Sequence, residues 1–312
     1  MPAEMREAAP ERNRERGSVA ILALWGVALI FMLLAPVAFA TRTELQVARN
    51  ALGASRARLA AEAGTQLGLA RLLRRKEAGT VYFDGAPEIW QQGSTHIAIA
   101  ISDEAGKIDL NVASQELLTG LFIAAGRARN EAALLACNVL DWRGQTGADC
   151  PGPAEGAGAA RPAARRFAAI EELAQLPGID DSLYDRVADS ITVATGASAI
   201  DPMVAPRLAL MAIPGATASL VDDFLDRRAS WHDAVSAGGT LGLAAAAPFV
   251  MASPRRDFTI AATAKTPEGA RFRAELQVRL TDRPARPYEV VAWRTPQADR
   301  GGEAVVARRQ AP

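Results

Sequence analysis

The residues able to do chemistry are few and scattered. Cys137 and Cys150 stand 13 positions apart, and a bond between them would restrain the unfolded chain by about 3 kcal/mol; two free thiols are the alternative. The only two histidines, His96 and His232, lie far apart, and no third nitrogen or sulfur ligand stands at zinc spacing. Ser219, Asp222 and His232 supply the residue types of a hydrolytic triad, but Ser219 falls inside an amphipathic helical pattern, and nearness in sequence says nothing about geometry. There is no nucleophile elbow, no phosphate loop and no recognisable motif of paired carboxylates. The sequence therefore predicts no enzyme.

Two Pro-Gly turns, Leu176-Pro177-Gly178 and Ile213-Pro214-Gly215, each join an apolar helical pattern to an amphipathic one, a weak internal repeat. Turns of this kind resemble helix-hairpin-helix units, whose amides grip a nucleic-acid phosphate at a helix N-terminus. Here Asp180 and Asp181 follow the first turn and would repel that phosphate. A packing turn between helices is the favoured reading.

The elements that must position these residues follow from length and pattern. With 312 residues, 49% apolar and 22% charged, the chain has the composition of a globular protein and the length for about two folded units. Only 17 residues are aromatic, and the 35 basic residues cancel the 35 acidic ones. Helices packed through small side chains are expected, and a large basic footprint for nucleic acid is not. Only three basic residues are Lys (Lys76, Lys107, Lys265), a bias that carries no functional reading.

From Ser18 to Ala40 the chain runs 23 residues without a formal charge. As a helix it would measure about 35 Å against a hydrocarbon core of about 30 Å, so it can span a bilayer once. Arg12, Arg14 and Arg16 precede it closely while Arg42 and Arg49 follow at wider spacing, which keeps the N-terminus cytoplasmic and puts the bulk of the chain outside. A cleaved secretory signal ending in the Ala-rich stretch Val37 to Ala40 is the competing reading, for which the apolar run is long. Apolar positions at Leu45, Ala48, Leu52, Leu59, Ala63, Leu67 and Leu73 then continue at helical spacing. One helix is expected from Ser18 to Ala78, kinked at Pro36 and capped at Gly79.

An Arg-rich leader ending in Gly17, an apolar stretch beginning at Ser18 and an amphipathic extension resemble a type IV pilin or pseudopilin. The resemblance implies that a prepilin peptidase cuts between Gly17 and Ser18 on the cytoplasmic side and methylates the new N-terminus. The fifth mature residue is then Leu22, where most of the family has Glu. In the family pattern that carboxylate neutralises the neighbouring subunit's N-terminal amine in an apolar core, where an unpaired charge is expensive. A subunit with Leu22 suits the filament tip, where no N-terminus sits above it.

The segments RGSVAILALWGVALI, ARNALGASRARLAAEAGTQLGLARLL, DEAGKIDLN, NVLDWR and YEVVAWR, in that order behind that leader, resemble the minor pseudopilin K family of type II secretion. The fold implied is α+β: a pilin-like long N-terminal helix on a small antiparallel sheet, carrying a large inserted α-helical region of two SAM-like or helix-hairpin-helix-like subdomains. The alternating strands Thr95 to Ser102, Phe258 to Ala262 and Phe272 to Leu280, with a last strand from Tyr288 to Arg294, agree with it. The expected layout is a leader at 1–17, helix halves at 18–40 and 41–78, and sheet segments at 79–105 and 250–296. Inserted subdomains fall at 106–197 and 198–249, and a frayed tail at 297–312. Asn111 or Ser114 can cap the first inserted helix and Gly126 can end it. The Gly-Pro-Ala-rich stretch Gln145 to Arg165 reads as a surface loop.

The resemblance further implies an inner-membrane anchor with the C-terminal bulk in the periplasm. The implied partners are minor pseudopilins I and J, other pseudopilins, the prepilin peptidase, the inner-membrane assembly platform, the secretin and exported proteins, with no nucleic acid among them. No cofactor is required. Family members hold calcium in the inserted domain through acidic loop residues, and the counterpart region here offers Asp141, Asp149 and Glu155. Calcium takes about six to eight oxygens, and the loop is poor in acids, so solvated loop carboxylates are the alternative. A membrane-anchored DNA-uptake receptor and a minor pilin of a type IV pilus are the competing functions.

Overall fold

The computed structural model describes residues 15–77, 83–145, 150, 165–230 and 244–295. The chain divides into two units, one ending at Ser55 and the other beginning at Arg56. Helix α1 (Glu15–Glu77) runs through that division. In the first unit its side chains Ile21, Leu22, Leu24, Trp25 and Phe31 are exposed. Among the described residues no helix is long and apolar enough to cross a membrane. The apolar run read in the sequence reaches past the described side chains, which stop at Leu34 and resume at Glu44. Pro36 falls in that gap, and Gly79, the expected cap, lies outside the described residues.

In the second unit, α1 from Arg56 onward covers one face of a five-stranded antiparallel sheet ordered β1-β2-β5-β6-β7. The strands are β1 (Glu88–Gln92), β2 (Thr95–Asp103), β5 (Asp257–Lys265), β6 (Arg271–Arg283) and β7 (Arg286–Arg294). Alternation explains them. Ile97, Ile99 and Ile101, Phe258, Ile260, Ala262 and Ala264, and Ala274, Leu276, Val278 and Leu280 point to one side and pack on Ala60, Ala61, Leu69 and Leu72 of α1. The helix lies close because Gly64 and Gly68 face the sheet: a Cβ at Gly68 would sit 2.5 Å from Ile260 Cγ2. β1, absent from the sequence reading, forms because Gly93 at φ 61° and Ser94 turn the chain back onto β2. β7 pairs with β6 at the far edge of the sheet, three strands from β2.

The chain leaves the sheet at the end of β2 and returns at β5, and everything between is an insertion. It holds α2 (Gln115–Ala124), α3 (Arg129–Trp142), α4 (Asp181–Val187), α5 (Arg207–Met211) and α6 (Ala218–Ser230). Ser114 caps α2 by accepting from Leu117 N at 3.3 Å. The stretch read as helical throughout also contains a parallel pair, β3 (Ile108–Asp109) with β4 (Ile191–Thr192), and its Ile170–Gln175 segment is a 3-10 helix. Each of these strands is only two residues long, too short for a period to register. One buried cluster spans the insertion, from Ile108 through Leu121, Val139 and Leu183 to Leu210, Phe224 and Ala246. The boundary drawn at 197/198 falls within that cluster. Gly120 lets α2 approach the next half, since a Cβ there would lie 1.9 Å from the Ala212 carbonyl oxygen.

The two Pro-Gly turns are alike in backbone. Gly178 and Gly215 both have φ 84°, and Ile179 N and Ala216 N donate to Leu176 O and Ile213 O. Pro at the second position and a left-handed Gly at the third make each a type II turn.

Candidate functional site

Where the insertion meets the sheet, polar side chains tie distant segments together, and the DEAGKIDLN segment (Asp103 to Asn111) supplies the entry side. Asp103, the last residue of β2, caps the 3-10 turn that follows: its Oδ1 accepts from Ala105 N at 2.9 Å. Its Oδ2 accepts from Ser253 Oγ at 2.5 Å, across 150 positions of sequence. Ser253 N donates to Asp201 Oδ2 at 2.8 Å, and Asp201 N donates to Ala105 O at 2.7 Å. Asp201 Oδ1 accepts from Met203 N at 2.8 Å. Three segments distant in the chain are thus joined by side chains of two acids and one serine.

Around them the remaining acids are individually paired. Lys107 Nζ donates to Glu104 Oε1 at 2.6 Å. Asp109 Oδ2 accepts from Gly196 N at 2.7 Å and Thr195 Oγ1 at 3.0 Å, fixing the segment after β4. Arg279 of β6 donates through Nε to Asp257 at 2.7 Å and through Nη2 to the Ala194 carbonyl at 2.9 Å, which binds the sheet to the insertion. Arg228 of α6 donates to the carbonyls of Pro202 and Ala205 and lies 3.8 Å from Asp84.

Burial governs the charge states here. It pushes the Asp103 carboxyl up to about 6; hydrogen bonds from Ser253 and Ala105 oppose the rise, while Asp201 and Glu104 add to it. Burial also raises Asp257, and its bond to Arg279 recovers part of the shift. For Glu104 burial pushes up as well, but the Lys107 charge and bonds from Lys107, Thr192 and Thr259 outweigh it, so the carboxyl sits below its ordinary value.

A second polar fixture lies at the other end of DEAGKIDLN. Asn111, read in the sequence as a candidate helix cap, instead clamps the backbone of Phe167: Nδ2 donates to Phe167 O at 3.0 Å and Oδ1 accepts from Phe167 N at 2.7 Å. Phe167 stacks on Trp142 at 5.4 Å between centroids, and the Arg165 guanidinium lies 4.0 Å from the centre of the Trp142 ring. Arg143 donates to the carbonyls of Leu110 and Ala113. Cys137 of α3 is bonded to Cys150.

The other residues singled out in the sequence are not brought together. Gly17 and Ser18 fall in the first turn of α1, and Leu22 is exposed. Asp141 lies on α3, whereas Asp149 and Glu155 lie outside the described residues. Among the described residues no group of three or more His, Cys, Asp or Glu is placed to hold a metal. His96 is on β2 opposite Lys265, and His232 lies outside the described residues. Asp222 is held by Arg207 at 2.8 and 3.0 Å, and the Ser219 hydroxyl lies 3.3 Å from that of Thr217. Asp180 caps α4 and pairs with Arg127; the turn before it packs on α3, where Asn138 Nδ2 donates to Pro177 O at 2.9 Å.

Sequence reasoning missed Asp103, Asp201, Ser253 and Asp257. The one local signal was an Asp followed two residues later by a small residue at a strand end, a common turn pattern. Apolar side chains also stay exposed at both sheet edges, Ile89 and Trp90 on β1 and Val290, Val291 and Trp293 on β7.

No protein-family model matches the chain, and no curated protein matches it. Among solved structures it is similar to a chain of the crystal structure of the GspK-GspI-GspJ complex from the enterotoxigenic Escherichia coli type 2 secretion system. The match has a TM-score of 0.52 at 15% identity and covers 83% of this chain and 99% of that one. At that identity the likeness is one of fold: helices and an antiparallel sheet in the same mixed arrangement.

Proposed function

We propose that this chain is a minor pseudopilin of a type II secretion system, anchored in the inner membrane with its bulk in the periplasm, that caps the tip of the pseudopilus and helps nucleate it. The observation that carries this reading is the fold likeness, which takes in 99% of a chain solved in a complex of GspK, GspI and GspJ. The order of the leader, apolar run and DEAGKIDLN segment in the sequence supports it independently.

The mechanism is steric and electrostatic. The stem from Ser18 enters the filament beside those of pseudopilins I and J, and Leu22 offers no carboxylate to a subunit above. The insertion, fastened to the sheet through Asp103, Asp201 and Arg279, is the bulk that closes the tip. Asp141, Asp149 and Glu155 would supply oxygens to any calcium the insertion takes up. Prepilin peptidase removes residues 1–17.

The test is the N-terminus of the membrane-inserted protein. Mass spectrometry should find methylated Ser18 in the wild type and an unprocessed precursor, with secretion lost, in Gly17→Trp. Normal processing of Gly17→Trp would remove the pseudopilin assignment. Tight binding of duplex DNA at physiological salt, without binding to other pseudopilins, would favour a DNA-uptake receptor instead.

A further inference from the structure

β7 is bonded to β6 along one edge and, among the described residues, to no strand along the other. In register, Tyr288, Val290 and Trp293 stand opposite Leu280, Val278 and Leu276, so they lie on the face that α1 packs on. Leu276, Val278 and Leu280 are buried there, whereas Val290 and Trp293 are 57% and 43% exposed. The apolar face therefore runs one strand further than α1 covers. An edge with open N–H and C=O groups beside such side chains is a template for another strand. That strand should carry small or β-branched residues toward the α1 face and, toward the other face, a cation for Glu289. Glu289 stands opposite Arg279, which is taken by Asp257, and its own pair with Arg286 is long, at 4.0 Å.

A segment of that chemistry follows β7 closely in the sequence. Residues beyond Thr295 lie outside the described residues, and 297–312 reads in the sequence as a frayed tail. Within it stands EAVVAR at 303–308, with two β-branched residues at its centre and a charge at each end. Pro296 lacks the N–H that a continued strand needs, and Gly301-Gly302 is a hairpin-turn signal, so residues 296–302 can reverse the chain. We infer that the segment 303–308 adds to the open edge of β7 as a sixth, antiparallel strand of the sheet.

Charge and face together set the register. Gln277 pairs with Ala292 but Val278 with Val290, so Val291 is one residue extra in β7. With Arg308 opposite Glu289 and that extra residue stepped over, Ala307 falls opposite Val290, Val306 opposite Ala292 and Val305 opposite Trp293. Val305 and Ala307, two positions apart, then share the α1 face with Trp293 and Val290, while Arg308 shares the other face with Glu289. A shift by one residue would set Glu303 opposite Arg294 instead. Arg294 is largely buried and already lies 3.7 Å from Glu171, and the shift would carry Val305 off the face of Trp293.

The pairing does not depend on the proposed function. Amide hydrogen exchange tests it, on the full chain in detergent and on the same chain truncated after Thr295. The β7 amides that point away from β6 should be protected in the full chain and lose about 10-fold or more of that protection on truncation. Amides of β5, at the centre of the sheet, should be equal in both, which shows that the truncated chain is folded. Glu289→Arg should lower protection of the same β7 amides, and adding Arg308→Glu should restore it. Equal β7 protection with and without the tail would overturn the pairing. So would protection that survives truncation and grows with protein concentration, since a second copy would then fill the edge. Failure of Arg308→Glu to rescue Glu289→Arg would refute the register, and with it the charge pairing on which the choice of segment rests.

Discussion

Replacing Asn111 with Ala should unsettle the insertion more than its surface would suggest. Asn111 is 8% exposed and Phe167 3%, and between them run two hydrogen bonds, from Asn111 Nδ2 to Phe167 O and from Phe167 N to Asn111 Oδ1. Truncation leaves a buried N–H and a buried C=O without partners. Each costs about 1 to 3 kcal/mol, so the loss should be about 3 kcal/mol. For a unit of this size that corresponds to a fall in Tm of roughly 6 to 12 °C. Because Phe167 stacks on Trp142, the near-ultraviolet circular dichroism of the full chain reports the site directly. Asn111→Asp keeps the acceptor for Phe167 N but sets a carboxylate oxygen against the Phe167 carbonyl in a buried site, so at neutral pH it should cost at least as much as Ala. A loss under about 1 kcal/mol for Asn111→Ala would show that water replaces both bonds, and the clamp would not be a structural fixture.

Changing both Cys137 and Cys150 to Ser should lower stability by about 3 kcal/mol, the entropy of a short closed loop, measurable by urea unfolding with and without reductant. Gly120→Ala should cost about 2 kcal/mol or more by overpacking, since its Cβ would meet the Ala212 carbonyl oxygen at 1.9 Å and backbone cannot yield as a side chain does. Gly126→Ala, with nothing within 4 Å but a φ of 93°, should cost only about 1 kcal/mol of backbone strain. The reverse order in thermal unfolding would contradict the helix packing described.

Much of the sheet was legible because burial on one face leaves a mark of period two. Ile97, Ile99 and Ile101, or Ala274, Leu276 and Val278, could be read as strands without knowing what covered them. The turns carried their own chemistry, Pro then Gly at 177–178 and 214–215, and they adopt the conformation those residues favour. β1 was missed because its five residues are all exposed and so show no alternation. The β3–β4 pair was missed because its strands lie 83 positions apart, from Ile108 to Ile191, and are too short to show any period.

By itself the sequence determined the apolar stem, the amphipathic continuation, the alternating strands and the neutral overall charge, since each is a property of near neighbours along the chain. Only the tertiary structure decided the partners of Asp103, Asn111 and Asp109. Ser253, Phe167 and Gly196 lie 150, 56 and 87 positions from them, and no local pattern marks an acid or amide whose bonds close across such distances. The charge state of Asp103 was decided there too, because burial and the nearness of Asp201 and Glu104 exist only once the insertion has folded back onto the sheet.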